Sequence, residues 1–396
     1  MRKIKDFTTS GKPDRLTIFR IWRFLMSDIF NAWAGAAFGL EGLVSAELKR
    51  LGMREVRAEN GGVRFQADAE SLFFCNLRLR FCDRVFILLA EAECLSFEDL
   101  FQLVSSVPWE KLMNGSEKIN ISAHCARSRL MSPRDCQSIT KKAIIEQLRK
   151  RTGKSVFPET GADFPVQVSV HQDRVKILLN TSGATLSRRG YRTWNGEAPL
   201  RETLASALVE LSPWRPGMPL HDPCCGTGTL LIEAAFRASH RAPGLARSFA
   251  MESFSFVDSA ALDSIRNENV HQADLSLISH ISGSDIDPEA LRLAGLHVRQ
   301  AGLEDRIPLS CIPLQELNLP GEPGVLICNP PYGERLSDQR SCRELYRDMA
   351  SLWRRHPGGR FCAISSDPGF EQAFGRRAEK KRRLYNGRLE CVFYIY

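Results

Sequence analysis

Pro219-Leu220-His221-Asp222-Pro223-Cys224-Cys225-Gly226-Thr227-Gly228-Thr229 runs directly into Leu230-Leu231-Ile232-Glu233-Ala234-Ala235. A short apolar strand, a carboxylate, a turn holding two glycines and a helical run make the first βα unit of a Rossmann-like α/β sheet. Glycines let a ligand approach the backbone, and the helix N-terminus that follows attracts negative charge. The third glycine of a dinucleotide fingerprint is absent, because position 231 is Leu. Dinucleotide binding is therefore disfavoured, while several other nucleotide-like ligands stay open.

Downstream, an insertion rich in Ser, Ala, Phe and Arg spans 237 to 274. A second strand is expected over Ile278 to Asp285, followed by Ile286-Asp287-Pro288 and the helical run Glu289 to Ala294, with proline at its first turn. Asp285, at the strand's C-terminal end, is placed to accept from ribose hydroxyls, with Asp287 as helix cap; the competing reading makes both residues caps. Ile307 to Ile312 gives a third strand and Val325 to Cys328 a fourth, stopped by Asn329-Pro330-Pro331-Tyr332. Two prolines remove two backbone donors and leave nearby carbonyls able to face a ligand. A short amide beside such carbonyls, followed by an aromatic ring, suits a flat group bearing an NH2, such as a nucleobase. A helix over Glu344 to Trp353, a strand over Gly359 to Ser365 and a hairpin turning at Asn386-Gly387 complete the sheet.

Upstream, an alternating segment at Ile29 to Trp33, helical spacing from Leu40 to Leu51, a hairpin about Asn60-Gly61-Gly62 and a helix over Ala69 to Leu79 give the start of a ferredoxin-like α+β unit. A second unit follows: helix Phe97 to Met113, strand Lys118 to His124, a long helix opened by Ser132-Pro133, and a hairpin of Phe164 to Val170 with Val175 to Asn180. Arg127, Arg129, Arg134, Lys141 and Lys142 collect around that long helix and its preceding loop, and Arg188 and Arg189 add a basic stretch before Tyr191. One such cation is more often part of a solvated face; their clustering points to phosphate neutralisation. The boundary is placed near Arg192, giving a basic tail at 1–26, a cation-bearing α+β module at 27–190 and an α/β domain at 191–396.

With 54 Lys+Arg against 46 Asp+Glu, the net charge of +8 is on the side expected for a polyanion partner. The 12 cysteines contain no CxxC pair and the 8 histidines no zinc-type spacing, so no metal is expected and the thiols read as reduced, in a cytoplasmic protein. No run is long enough to span a membrane. Arg20 and Arg23 interrupt the apolar stretch near the N-terminus, which argues for a basic tail rather than a signal peptide.

Residues 193 to 396 resemble a class I S-adenosylmethionine-dependent methyltransferase through Asp222 to Ala235, Gly283 to Leu291 and Asn329 to Leu336. Residues 27 to 190 resemble the ferredoxin-like plus THUMP module fused to such enzymes, and the closest family is the bacterial 23S rRNA guanine-N2-methyltransferases. The resemblance implies that Asp222, Cys224, Gly226 and Gly228 hold the methionine part of S-adenosylmethionine, that Asp285 binds its ribose, and that Asn329, Pro330 and Tyr332 form the target-base site. The acidic residue that commonly follows the third strand is missing from Cys311-Ile312-Pro313-Leu314-Gln315, which leaves the adenine to backbone near Leu314 or to Gln315. Asn-Pro-Pro-Tyr itself does not choose between guanine and adenine. A tRNA guanine-N2 enzyme, a DNA adenine-N6 enzyme and a noncatalytic RNA-binding protein are the competing readings.

Overall fold

The computed structural model describes residues 29–192, 200–319, 322–332 and 336–396, with side chains left out at 336–339. The basic tail 1–26, the expected linker around Thr193 to Pro199 and Gly333-Glu334-Arg335 lie outside the described residues.

Two seven-stranded sheets carry the chain. The first runs β2-β3-β1-β4-β7-β6-β5. Its strands are β1 (Phe30–Ala36), β2 (Arg54–Glu59), β3 (Gly62–Ala67), β4 (Cys82–Glu93), β5 (Lys118–Ala126), β6 (Asp163–His171) and β7 (Arg174–Asn180). The ferredoxin-like and second units therefore share one continuous sheet, joined where β4 pairs with β1 on one side and β7 on the other. Sequence reading passed over β4 because its middle is buried at six successive positions and so shows no alternation. The long helix Pro133–Thr152 begins as expected, with Ser132 accepting from the Asp135 amide and proline in the first turn, and ends on Gly153 at φ 71°. The helix expected over Phe97 to Met113 stops at Ser105, and a short 3-10 turn, Trp109–Lys111, follows Pro108.

The second sheet runs β10-β9-β8-β11-β12-β14-β13. It consists of β8 (Leu220–Asp222), β9 (Ile281–Asp285), β10 (Leu309–Cys311), β11 (Val325–Cys328), β12 (Arg360–Ser365), β13 (Lys380–Asn386) and β14 (Leu389–Ile395). The first five pair in parallel, and β14 is antiparallel to both of its neighbours. Strands buried on both faces explain the continuous apolar runs, such as the fully buried Val325 to Cys328.

The insertion ties the two sheets together. Phe249 meets Phe73 edge-on at 5.6 Å, Phe254 lies 5.3 Å from Phe164, and Phe256 lies 6.0 Å from Phe30. The Arg247 guanidinium donates to the Ser182, Ala184 and Thr185 carbonyls at 3.0, 2.9 and 2.5 Å. Beside it lies a buried ionic joint. Glu233 accepts from the Tyr191 hydroxyl at 3.0 Å and from the Ser206 hydroxyl, with the Arg189 guanidinium 3.5 Å away. Arg189 also donates to the Leu186 and Arg80 carbonyls at 2.9 and 2.6 Å.

Candidate active site

The loops that leave β8, β9 and β11 emerge at one edge of the second sheet, the edge where ligands of open α/β sheets bind. The turn after β8 is shaped by two glycines in the left-handed region, Gly226 at φ 51° and Gly228 at φ 81°. Helix Thr229–Ala238 then starts without a side-chain cap, so its first amides face the loop rather than a protein oxygen. His297 braces the turn from behind, its Nδ1 lying 3.1 Å from the Thr227 carbonyl.

The carboxylates of the site meet across this turn. Asp285 accepts from the Gly226 amide at 2.8 Å through one oxygen and from the Asp287 amide at 3.0 Å through the other. Asp287 in turn caps helix Pro288–Gln300 through the Glu289 amide. The two aspartates thus take different roles, and Asp285 is the one that reaches the glycine turn. Asp222 is buried and accepts from the Cys224 amide at 3.1 Å. Burial holds its pKa well above the usual carboxylate range, and the charge acting on it is the second anion, Asp285. A cationic ligand beside these two carboxyl groups would favour the charged form of Asp222 that burial now opposes.

Asn329 and Tyr332 face each other: the Tyr332 hydroxyl donates to Asn329 Oδ1. Burial raises the pKa of this phenol, and its oxygen lies against the Cys391 thiol on β14. Pro330 is buried, and the next carbonyl, that of Pro331, accepts from the Tyr346 hydroxyl at 3.0 Å. The amide oxygen expected to accept from a base thus already accepts from a neighbouring phenol and has a second lone pair left for another donor.

Ile286, to which the sequence motif gives no role, is 71% exposed beside Asp285. Its carbonyl lies 3.7 Å from the Cys311 thiol, and the Ile312 amide donates to the Asp285 carbonyl at 3.1 Å. An apolar lip thus stands where the acidic residue is missing. The signal was available in the sequence, since Ile286 is a large apolar residue inside a polar turn. Gln315 is exposed, and its side-chain amide donates to Asp348 at 2.7 Å.

The expected RNA contacts divide. Arg127, Arg129, Arg134, Lys142 and Arg188 are exposed. Lys141 is half-buried and paired with Glu159 at 2.7 Å. Arg189 is a correction: only 2% exposed and bound to Glu233 and to backbone carbonyls, it belongs to the joint between the halves and does not face a ligand. A cavity of about 780 Å³ lined by Pro219, His221, Ser282 and Val325 opens at the opposite sheet edge, away from these turns. Its His221 is held between the Ser282 and Ser284 hydroxyls at 2.8 and 3.0 Å, and burial pushes its pKa down to about 4.

A mostly parallel sheet of this order, closed by an antiparallel hairpin and with a glycine turn, an acidic second turn and Asn-Pro-Pro-Tyr along one edge, defines a class I methyltransferase. The chain belongs to the RMKL-like methyltransferase family, whose domain it matches over residues 189–395. It also matches an RlmL ferredoxin-like domain over 31–86 and a THUMP domain over 94–180. It is 36% identical to YpsC of Bacillus subtilis, provisionally named an RNA methyltransferase, over 92% of this chain and 94% of that protein. It is 34% identical to the ribosomal RNA large subunit methyltransferase K/L of Desulfotalea psychrophila over 92% of this chain. The chain spans about half of that second relative, 52% of its length. A crystal structure from Listeria monocytogenes, described as a predicted N6-adenine-specific DNA methylase, aligns with TM-score 0.89 at 36% identity, covering 94% of this chain and 97% of that one. SMU.472, provisionally described as a methyltransferase and solved with S-adenosylhomocysteine, aligns with TM-score 0.88 at 39% identity, covering 93% of this chain and 98% of that one. Among the described residues no helix is long and apolar enough to cross a membrane, and no cluster of His, Cys, Asp and Glu could hold a metal.

Proposed function

We propose that this chain methylates the exocyclic N2 amine of a guanine in RNA, with 23S rRNA as the substrate, using S-adenosylmethionine as donor. The observation that carries the reading is the meeting of Asp285 with Gly226 beside the Asn329–Tyr332 pair at one sheet edge. Asp285 offers a carboxylate, and the buried Asp222 carboxyl a second acceptor, to a ligand that carries a sulfonium and an ammonium, and the uncapped helix start offers amides to its carboxylate. Asp285 accepts from the ribose hydroxyls, and the lip of Ile286 and Ile312 receives the adenine face. Gln315 is a weaker candidate for the adenine than it was from sequence, because Asp348 already engages it.

S-adenosylmethionine supplies a methyl group already activated on sulfur, so the protein's task is orientation. Asn329 Oδ1 and the Pro330 carbonyl accept from the base NH2 and turn its lone pair toward the donor. Tyr332 lies against the base face. A paired base cannot enter such a cleft, so it has to be unpaired or flipped out. Arg127, Arg129, Arg134, Lys142 and Arg188, all exposed, hold phosphates without reading sequence.

The THUMP match and the names of the two protein relatives support RNA over DNA. The Listeria description favours a second reading, a DNA adenine-N6 enzyme. Transfer of a radiolabelled methyl group to naked 23S rRNA, tRNA and duplex DNA in parallel separates them. Incorporation as N2-methylguanosine in 23S rRNA is expected, and label found only in DNA adenine would overturn the proposal.

A further inference from the structure

Phe38 is 62% exposed, an unusual setting for a large aromatic ring. It occupies the turn between β1 and helix Glu41–Arg50, in the first half of the chain. The turn is a built feature. Gly39 sits at φ 89°, its amide donates to the Glu41 carboxylate at 2.8 Å, and its carbonyl accepts from Arg382 of β13 at 2.8 Å. A Cβ at Gly39 would stand 3.1 Å from the Arg383 carbonyl, so the approach to β13 requires glycine. Held this way, the Phe38 ring meets the Tyr385 ring edge-on, at 5.7 Å and 82°.

The β13–β14 hairpin places this pair. β13 runs parallel to β12, because both are antiparallel to β14. Its C-terminal end, with Tyr385, therefore emerges on the same sheet edge as Asn329. Cys391 of β14 touches the Tyr332 hydroxyl, which connects the hairpin to the catalytic loop. Arg382, Arg383 and Arg388 lie at the same end of the hairpin as Tyr385; Arg383 pairs with Glu390 at 3.3 Å, and Glu390 also accepts from the Tyr385 hydroxyl at 2.8 Å, so the rings are framed by polar and charged groups that disfavour a purely apolar partner. Aromatic faces beside arginines, at the sheet edge that carries Asn329, suit stacked bases and their phosphates.

We infer that Phe38 and Tyr385 form a stacking shelf, shared by the two halves of the chain, for an unpaired RNA base next to the one that is methylated. The inference rests on the RNA reading above. A flipped target leaves its neighbour with an unstacked face, and the shelf covers that face.

The test uses the full chain with two probes: a short unstructured RNA oligonucleotide followed by fluorescence anisotropy, and methyl transfer to naked 23S rRNA. Phe38→Ala should weaken oligonucleotide binding and raise the RNA KM by roughly 10-fold, the scale of one base–aromatic stack. Its kcat and its affinity for S-adenosylmethionine should stay within about twofold of wild type, and Phe38→Trp should restore RNA affinity. If wild type methylates RNA while Phe38→Ala keeps its KM and RNA affinity, the shelf is wrong and the RNA reading stands. If Phe38→Trp fails to restore binding, the ring is a packing element rather than a stacking surface. Wild-type protein that methylates only DNA removes both.

Discussion

The two seven-stranded sheets solve opposite problems. The first is built of mostly antiparallel pairs of long strands, two of them hairpins and one, β5 with β6, parallel, and β4 alone has 12 residues. Beneath its surface of ion pairs, Trp33, Phe86, Leu88 and Leu178 form a separate apolar cluster, with the Lys176 ammonium 3.4 Å above the Trp33 ring. Its candidate ligand groups are scattered over loops and one helix. The second has parallel strands as short as three residues, yet crossovers bring the turns bearing Asp222, Asp285 and Asn329 to one edge. Parallel crossovers concentrate chemistry at an edge, and hairpins spread it across a surface. A residue in the second sheet should therefore affect one step steeply, whereas a residue in the first should affect binding in shallow increments.

The steepest expected effect is at Asn329. Asn329→Ala should lower methyl transfer by roughly 100-fold or more with cofactor binding kept, measured by single-turnover transfer beside calorimetric titration of S-adenosylmethionine. Retained activity would break the contrast at its strongest point. Asp285→Ala should weaken cofactor affinity by roughly 10- to 100-fold, the scale of hydrogen bonds to a charged group, and leave RNA affinity intact. Equal loss of both ligands would mean that the turn is mainly structural.

Changes on the first sheet should be smaller and additive. Arg127→Glu, Arg129→Glu and Arg134→Glu should each lower RNA affinity by a few-fold and flatten its dependence on salt by about one counterion per contact. One of them abolishing binding alone would show a focused site where a diffuse one is expected. The mildest effect concerns Glu47, buried and accepting from the Arg80 amide at 3.0 and 3.1 Å. Burial raises its pKa from 4.5 to about 7. Between those values the folded chain keeps a proton that the unfolded chain has released, so this contribution is complete below pH 4.5 and is lost as the pH rises through about 7. Melting temperatures of wild type and Glu47→Gln should therefore converge at low pH and separate in the variant's favour above neutrality. A gap independent of pH would refute the assignment.

The same contrast governs what the sequence allowed to be read. The second sheet was legible because each ligand turn is local: a carboxylate, its glycines and its helix lie within a dozen residues or so. The first was legible in outline, through Ser132-Pro133 and Asn60-Gly61-Gly62, but its longest strand was not, since burial on both faces removes the period. Arg188 and Arg189 show the limit most plainly. They are adjacent and chemically identical, yet one is exposed and the other faces Glu233, whose position depends on a helix in the other half. No local pattern could assign them. Ile286 is a large apolar residue in a polar turn, and its signal is masked by the two aspartates that flank it.

The insertion has a consequence for how the protein is made. Synthesis delivers the first sheet before the insertion, and Phe249, Phe254 and Phe256 find their aromatic partners Phe73, Phe164 and Phe30 on that earlier half. The nascent N-terminal half thus acts as a mould on which the later half closes. Expressed on its own, the later half would present those three rings and the Arg247 guanidinium to solvent, so shortening this enzyme to a minimal catalytic fragment should yield a sticky product rather than a smaller enzyme.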